Sequence, residues 1–214
     1  MSLLVSPFRA AVGRDVVLQQ GRVLLRPPQS KDWRAWADLR LESRDFLKPW
    51  EPVWPYDALT RASFRRRLRQ YSIEARHGSG HAYFIFDRRG EGGEGDLLGG
   101  ISVSNLRRGV AQSASLGYWI GERHARHGYM TEALQALVTY CFDGLGLHRL
   151  EAACLPHNTP SRALLEKAGF SQEGYARQYL RIDGRWQDHV LYAMLAGDRG
   201  PGAKQPRSIT ASTG

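Results

Sequence analysis

Cysteine is scarce in this sequence, which holds only 2 cysteines among 214 residues. Cys141 and Cys154 stand inside apolar runs, so we interpret both as buried thiols of a reducing compartment and not as a disulfide framework. Neither they nor the histidines, among them His124 and His127, have further ligand-type residues at metal-binding spacing. We therefore predict that the chain folds around an ordinary apolar core and binds no metal.

Long apolar runs are also missing. No segment is long and apolar enough to span a bilayer, and residues 1–7 lack the basic start of a signal peptide. We expect a cytoplasmic protein with a single domain over residues 21–196, acting as a monomer or homodimer. Residues 1–20 are expected to form an arm. Residues 197–214 are rich in Gly, Pro, Ser and charge, and are expected to form a disordered tail.

Acidic residues are in deficit, with 21 Asp and Glu against 30 Lys and Arg, which gives a formal net charge of +9. The excess indicates an anionic ligand or partner, such as a coenzyme with several phosphates, RNA or a ribosomal surface. Charge alone does not choose between these, and Arg65, Arg66 and Arg67 can equally form a solvated surface. The glycine-rich residues 90–95 lack a Gly-Lys-Ser or Gly-Lys-Thr sequence, so they predict a hairpin and not a phosphate loop.

Hydrophobic periodicity predicts a mixed α/β (α+β) domain, in which helices flank a sheet. The elements follow in the order strand, two helices, three strands, helix, strand, helix and two strands. Asp183-Gly184, between the last two strands, indicates a tight hairpin. The predicted strands are residues 22–27, 82–87, 97–105, 113–121, 149–155, 171–182 and 186–195.

Two strand-to-helix junctions carry the chemistry. The first, residues 120–132, puts arginines and histidines at a helix N-terminus, where unpaired backbone N–H groups and a partial positive charge suit a pyrophosphate. We expect these side chains to add positive charge there, although an ordinary basic loop gives the same pattern. The second, residues 156–161, allows Asn158 or Thr159 to cap a helix and puts the Ser161 hydroxyl in its first turn.

These segments resemble the GNAT acetyltransferase superfamily. Arg123-His-Ala-Arg126-His-Gly128 is similar to the family's coenzyme loop, Arg/Gln-x-x-Gly-x-Gly/Ala. Residues 158–170 are similar to its Asn-x-x-Ser/Ala motif followed by Leu-Leu-Glu-Lys-Ala-Gly-Phe. Over about residues 20–195 the chain resembles the branch that acetylates the N-terminal alanine of ribosomal proteins. The segments that carry this closer resemblance are residues 46–52, 116–118, 156–158, 173–176 and 182–190.

The resemblance implies a GNAT fold, with a mixed, mostly antiparallel central sheet and a splay between its two central parallel strands. It implies acetyl-CoA as co-substrate, no metal, and direct transfer of the acetyl group to a primary amine. The loop amides would position the pyrophosphate, and a backbone N–H near Ile120 would stabilise the oxyanion. The expected coenzyme contacts are Trp119, Ile120, Gly121, Arg123, His124, Arg126, His127, Gly128, Tyr129, Met130, Thr131, Asn158 and Ser161.

Two residues depart from the family pattern. Arg126 replaces the first glycine of the loop. We expect its guanidinium to swing out and pair with the pyrophosphate, because Gly128 still permits a close backbone approach. Leu165 stands where many GNAT enzymes have the tyrosine that protonates the leaving thiolate. The ribosomal-protein branch then implies Ser161 as the proton donor.

The acceptor side is less defined by the sequence. An α-amine with a pKa of about 7.7–8.0 needs less help to lose its proton than a lysine at about 10.4. We predict Glu51 as the base, although a solvated loop carboxylate fits equally well. The expected substrate contacts are Trp50, Glu51, Asn105 and Tyr118, and the expected catalytic residues are Ser161, Glu51 and Tyr118.

The leading prediction is an N-acetyltransferase for the N-terminal alanine, or another small residue, of a ribosomal protein, with ribosome or RNA contact as a further option. One alternative is an acetyltransferase for a small-molecule amine, which the lack of an acidic cluster disfavours for polycations. The other is a ribosome- or RNA-associated binding factor with vestigial catalysis. The aromatic and basic residues 46–54 could stack on bases, but no recognised RNA motif supports that function.

Overall fold

The computed structural model describes residues 16–199 and the backbone of residues 210–211. The strands of this part of the chain are β1 (Val16–Gln20), β2 (Val23–Arg26), β3 (His81–Asp87), β4 (Leu97–Arg107), β5 (Ser113–Ile120), β6 (Arg149–Cys154), β7 (Ser171–Ile182), β8 (Arg185–Leu195) and β9 (Thr210–Ala211). Its helices are α1 (Trp33–Glu42), α2 (Arg44–Leu47), α3 (Arg61–His77), α4 (Tyr129–Thr139) and α5 (Thr159–Lys167).

The strands form one sheet in the order β7-β8-β6-β5-β4-β3-β2-β1-β9. Among the described strands, only β5 and β6 run parallel. Their ladder begins where Ser113 pairs with Arg149 and ends where Ser115 pairs with Glu151. Beyond that point the two strands diverge, although each stays paired to its outer neighbour. The predicted mixed, mostly antiparallel sheet with a splay at its parallel pair is confirmed.

Helices cover both faces of the sheet, and two apolar clusters result. The buried stripe of α4, which includes Leu134 and Leu137, packs with α5 on one face, and the aromatic side chains of α1 and α3 cover the other. Strand β3 feeds both clusters, because its side chains alternate between the faces, with Ile85 in the first and Phe84 in the second. Each fully buried large apolar side chain contributes about 1.5–3 kcal/mol.

The expected arm is wrong for residues 16–20, which form β1. Val16 and Leu18 are buried, and β1 pairs with β2 through a tight turn in which Gly21 has a φ of +52°. The remaining residues of the arm, 1–15, lie outside the described part. Of the expected tail, residues 197–198 belong to the 3-10 turn Ala196–Asp198, residue 199 follows that turn, and residues 210–211 pair with β1. The rest of the tail is not described.

The cysteines and the hairpin follow the sequence predictions. Cys141 and Cys154 are free and buried. Asp183 and Gly184 both have positive φ at the β7–β8 turn, as a tight hairpin requires. Within the described residues, no helix is long and apolar enough to cross a membrane. The same residues bring together no group of three or more His, Cys, Asp or Glu side chains that could hold a metal ion.

Candidate active site

A gap opens between β5 and β6 where their ladder ends. At the end of β5, the Gly121 N–H donates to the Leu98 carbonyl of β4 at 2.9 Å. Successive residues of a strand turn their main-chain groups to opposite edges, so Tyr118 and Ile120 turn theirs away from β4. The N–H and C=O groups of these two residues therefore face the gap. They can bind an extended ligand chain, and the Ile120 N–H has the orientation expected for stabilising an oxyanion.

The N-terminus of α4 offers further main-chain donors beside the gap. Gly128 is the N-cap residue, with a φ of +84°, and within the described residues no side chain caps the helix. The first intrahelical hydrogen bond of α4 is the one that the Glu132 N–H donates to the Gly128 carbonyl at 3.2 Å. The N–H groups of Tyr129, Met130 and Thr131 precede that bond and lack intrahelical acceptors. Three orphan donors at the positive end of a helix suit a pyrophosphate, so this chain fits coenzyme A.

Charged side chains hold both ends of the segment from Arg123 to Glu132, which contains the predicted coenzyme loop. Glu132 accepts from the Arg22 main-chain N–H and from its Nη2, each at 2.6 Å. Arg22 Nη2 also donates to the His127 carbonyl at 2.8 Å. At the other end, Arg123 pairs with Glu42 of α1 at 2.9 Å. These contacts hold the loop in place without a ligand, and one of them engages the Arg123 guanidinium in an ion pair with α1.

His124 does not add positive charge to the loop, contrary to the expectation from sequence. Burial and the neighbouring Arg123 guanidinium lower the pKa of His124. Its Nε2 accepts a hydrogen bond from Arg123 Nε at 3.0 Å, which only the neutral ring can do. Arg126, in contrast, is exposed and forms no ion pair with any described residue. Its φ of +63° lies in the left-handed region, which costs a residue with a Cβ about 1 kcal/mol.

Two hydroxyl groups meet on the α5 side of the gap. The Tyr118 phenol and the Ser161 hydroxyl are 2.8 Å apart, and either can be the donor. Asn158 fixes the first turn of α5 by accepting from the Ser161 N–H at 3.1 Å. Burial raises the pKa of Tyr118 to about 12, so the phenol keeps its proton at neutral pH. Leu165 is 1% exposed and belongs to the core, so it has no part in this hydroxyl pair.

Trp119 and Gly121 have structural roles, and the coenzyme contacts predicted for these two residues stay predictions. Trp119 pairs its main chain with Gly100 of β4, and its ring lies over that glycine on the opposite face of the sheet. A Cβ on Gly121 would lie 2.4 Å from Leu39, so this glycine lets α1 approach the sheet. The prediction for both residues rested on the position of the motif in the chain. That position does not reveal which edge of the strand the main-chain groups of a residue face.

The side chains of Tyr129, Met130 and Asn158 are likewise engaged by the protein itself. Tyr129 is buried, and its hydroxyl accepts from Arg89 at 2.7 Å. Met130 is buried in the core, and the Asn158 amide oxygen caps α5. Any coenzyme contact by Tyr129 and Met130 therefore comes from their main-chain N–H groups. The capping role for Asn158 is the alternative that the sequence had left open.

A cleft of about 430 Å³ opens beside the gap on the face covered by α1 and α3. Its floor consists of small residues on three adjacent strands, namely Ala82, Gly100, Ser102 and Gly117. Its walls carry the aromatic residues Trp36, Trp54, Tyr71 and Trp119. Sequence reasoning did not predict this cleft, whose lining comes from several distant segments. It offers an acceptor a route to the gap from the face opposite α5.

A buried guanidinium holds Glu51 in this cleft. Arg40 is 8% exposed, forms an ion pair with Glu51, and lies 4.5 Å from the ring centre of Trp54 and 4.9 Å from that of Trp119. Glu51 Oε2, which accepts from Arg40, also accepts from Trp54 Nε1 at 2.7 Å. Oε1 forms no hydrogen bond with the described residues. Glu51 is therefore a fixed carboxylate of the cleft wall, not the solvated loop residue of the alternative interpretation.

Trp50 and Asn105, two of the predicted substrate contacts, do not line the cleft. The Trp50 ring packs against His157, with ring centres 5.4 Å apart, at the junction of β6 and α5. Asn105 is exposed and has a φ of +51° at a bulge of β4. Asparagine tolerates this left-handed conformation better than most residues, which explains Asn105 without a ligand.

Comparisons with known proteins agree with this geometry. The family model described as an acetyltransferase (GNAT) domain matches residues 22–171. The chain is 38% identical to the [Ribosomal protein uS5]-alanine N-acetyltransferase of Escherichia coli (strain K12), over 87% of this chain and 94% of that protein. It is 34% identical to the Probable N-acetyltransferase YjcK of Bacillus subtilis (strain 168), over 85% of this chain and 98% of that protein.

A solved structure, described as Mycobacterium smegmatis RimJ in complex with CoA-disulfide, superposes with a TM-score of 0.82. It is 35% identical in sequence, and the match covers 90% of this chain and 92% of that one. The resemblance predicted from the two junction motifs is thereby confirmed. The sheet with its splay, the orphan N–H groups at α4 and these similarities lead to one conclusion: the chain belongs to the GNAT acetyltransferase family and is an acetyl-CoA-dependent N-acetyltransferase.

Proposed function

We propose that this enzyme acetylates the N-terminal α-amine of a ribosomal protein that begins with alanine or another small residue. The observation that carries the proposal is the cleft, which meets the gap over a floor of small side chains. Such a floor leaves room for the first residue of a peptide. The name of the E. coli relative supports the same acceptor class.

The charges of the cleft favour a peptide over a polycation. Its lining includes the guanidinium groups of Arg40 and Arg67 and one carboxylate, Glu51, which Arg40 already neutralises. A polyamine or aminoglycoside would bring several positive charges to a site with a surplus positive charge. An N-terminus brings one positive charge and a main chain that can form hydrogen bonds.

The coenzyme's place follows from the main-chain groups already described. Acetyl-CoA supplies the acetyl group as a thioester. The N–H groups of Tyr129, Met130 and Thr131 would hold the pyrophosphate with Arg126 beside them, and the gap-facing groups of β5 would hold the pantetheine arm. The Ile120 N–H would stabilise negative charge on the thioester oxygen.

The reaction needs two proton movements. The amine nitrogen forms a bond to the thioester carbon, and the carbon–sulfur bond breaks. Ser161 donates a proton to the departing sulfur, and Tyr118 passes its own proton to Ser161 through their hydrogen bond. Tyr118, whose pKa is about 12, then takes up a proton from solvent. Glu51 accepts the amine's proton at Oε1. Because an α-amine has a pKa of about 7.7–8.0, a single fixed carboxylate suffices.

The excess of positive charge supports an encounter with an assembling ribosome. A formal net charge of +9 attracts the chain to ribosomal RNA, so enzyme and acceptor meet in the cytoplasm. This attraction affects the rate of encounter and not the chemistry in the cleft.

The test is to incubate the protein with acetyl-CoA and short peptides that begin with Ala, Ser, Thr or Met. A peptide with only a lysine amine free, and spermidine, serve as competing acceptors. Thiol release measures turnover, and mass spectrometry locates the acetyl group. We expect acetylation of the α-amine, fastest for Ala. Acetylation of only lysine or spermidine would replace the acceptor, and no turnover with any acceptor would favour a binding factor.

A further inference from the structure

Arg67 is a cation of the acceptor cleft that has no carboxylate partner among the described residues. It extends from α3 into the lining of the cleft, with its guanidinium 5.5 Å from the Trp36 ring centre and its Nη1 3.4 Å from the Tyr71 hydroxyl. Its counterparts are paired: Arg40 with Glu51 in the same cleft, and the adjacent Arg66 with Asp57. Arg67 is exposed, and two aromatic side chains flank its guanidinium without neutralising it.

We propose that Arg67 selects acceptors with an acidic side chain close behind the N-terminus. A guanidinium flanked by aromatic side chains can form a charge-assisted hydrogen bond with a carboxylate, and its planar fork loses less conformational entropy per hydrogen bond than a lysine ammonium does. This inference rests on the proposed function, since it assigns to the same cleft a preference beyond the first residue.

The position of the acidic residue follows from the sheet. The reacting amine meets the gap beside β5, whereas Tyr71, next to Arg67, lies with Ala82 of β3 in a smaller adjoining recess. Strand β4 lies between β3 and β5, so the two points are about 10 Å apart across the sheet. An extended peptide covers about 3.3 Å per residue. The carboxylate therefore belongs to one of residues 2 to 4 of the acceptor.

The experiment uses peptides that begin with Ala, are amidated at the C-terminus, and carry Glu, Gln or Lys at position 2, 3 or 4 in a Ser/Gly background. The value of kcat/KM is measured for the full-length parent, for Arg67→Gln, and for Arg65→Gln as a matched control. Arg65 is exposed on the same helix and does not line the cleft. Acetyl-CoA affinity is measured in parallel to confirm that each variant is folded.

At one of these positions the parent should prefer Glu over Gln about 3- to 10-fold and disfavour Lys. Arg67→Gln should remove the preference, Arg65→Gln should keep it, and 1 M salt should weaken it. Equal rates for Glu and Gln peptides in the parent, or a Glu preference that survives Arg67→Gln, would overturn the inference and leave the proposed function standing. If no Ala peptide is acetylated at its α-amine, the proposed function fails and this inference fails with it.

Discussion

The proposed coenzyme side and the proposed acceptor side of this active site are built in different ways. The coenzyme side consists mostly of main-chain groups from one continuous stretch, the end of β5 and the start of α4. The acceptor side consists of side chains from α1, from the loop after α2, from α3 and from the sheet. A site made of main-chain groups can bind the same ligand throughout a family, because substitutions leave those groups in place. A site made of side chains can change its acceptor by substitution without disturbing the coenzyme.

The variant with the largest expected effect is Ser161→Ala, which tests the division between the coenzyme side and the acceptor side. Loss of the proton donor should lower kcat about 100-fold for every acceptor and leave acetyl-CoA affinity unchanged, because the hydroxyl acts during bond breaking. Thr159→Ala removes a hydroxyl from the same helical turn and should change little. Stopped-flow turnover and calorimetry measure the two quantities. An unchanged kcat, with chemistry shown to be rate-limiting, would remove Ser161 from the mechanism.

Glu51→Gln tests the acceptor side. It should lower kcat/KM for peptides about 30-fold without affecting acetyl-CoA affinity, because the base is lost. It also removes the charge that balances the buried Arg40, so stability should fall. Glu94→Gln is the matched control. Glu94 forms an ion pair with the buried Arg26 at 2.7 Å, and this pair does not line the cleft. If both variants lose stability and keep their activity, Glu51 has only a structural role.

Gly128→Ala tests the coenzyme side alone. A Cβ at a φ of +84°, 3.2 Å from Arg22 Nη2, would strain the loop and obstruct the pyrophosphate. We expect acetyl-CoA to bind about 10-fold more weakly, with KM for the peptide unchanged. Gly146→Ala places the same strain at a φ of +64° in open space and should affect stability only. Equal acetyl-CoA affinities for the two variants would contradict the assignment of the loop.

The smallest expected effect is that of Arg126→Gly, which restores the family's glycine. Relief of left-handed strain and the extra freedom of an unfolded glycine nearly cancel, so the free energy of unfolding should change by less than about 1 kcal/mol. Acetyl-CoA should bind about 3-fold more weakly, because an exposed guanidinium is lost. The difference should shrink at high salt. Tighter binding by the variant would mean that Arg126 obstructs the pyrophosphate instead of attracting it.

The fold could be predicted from the sequence, and so could the candidate residues of the coenzyme side. Alternation in β5 and the apolar stripe of α4 are local patterns, and they predicted these central elements correctly. Residues 16–20 were missed because a five-residue strand at the edge of the pattern has too few apolar positions to stand out. Ser161 could be proposed because its motif is continuous in the chain. Its partnership with Tyr118 was missed, because those residues are 43 positions apart.

The sequence by itself indicated the proposed coenzyme loop, because Arg126, Gly128 and the start of α4 are consecutive and the N–H groups without acceptors belong to one helix end. Only the tertiary structure decided the acceptor cleft. Arg40 and Arg67 look like two of many surface arginines until α1 and α3 fold over the sheet and place one beside Glu51 and the other over the Trp36 ring. A side-chain site depends on which faces of distant elements meet, and packing sets that geometry.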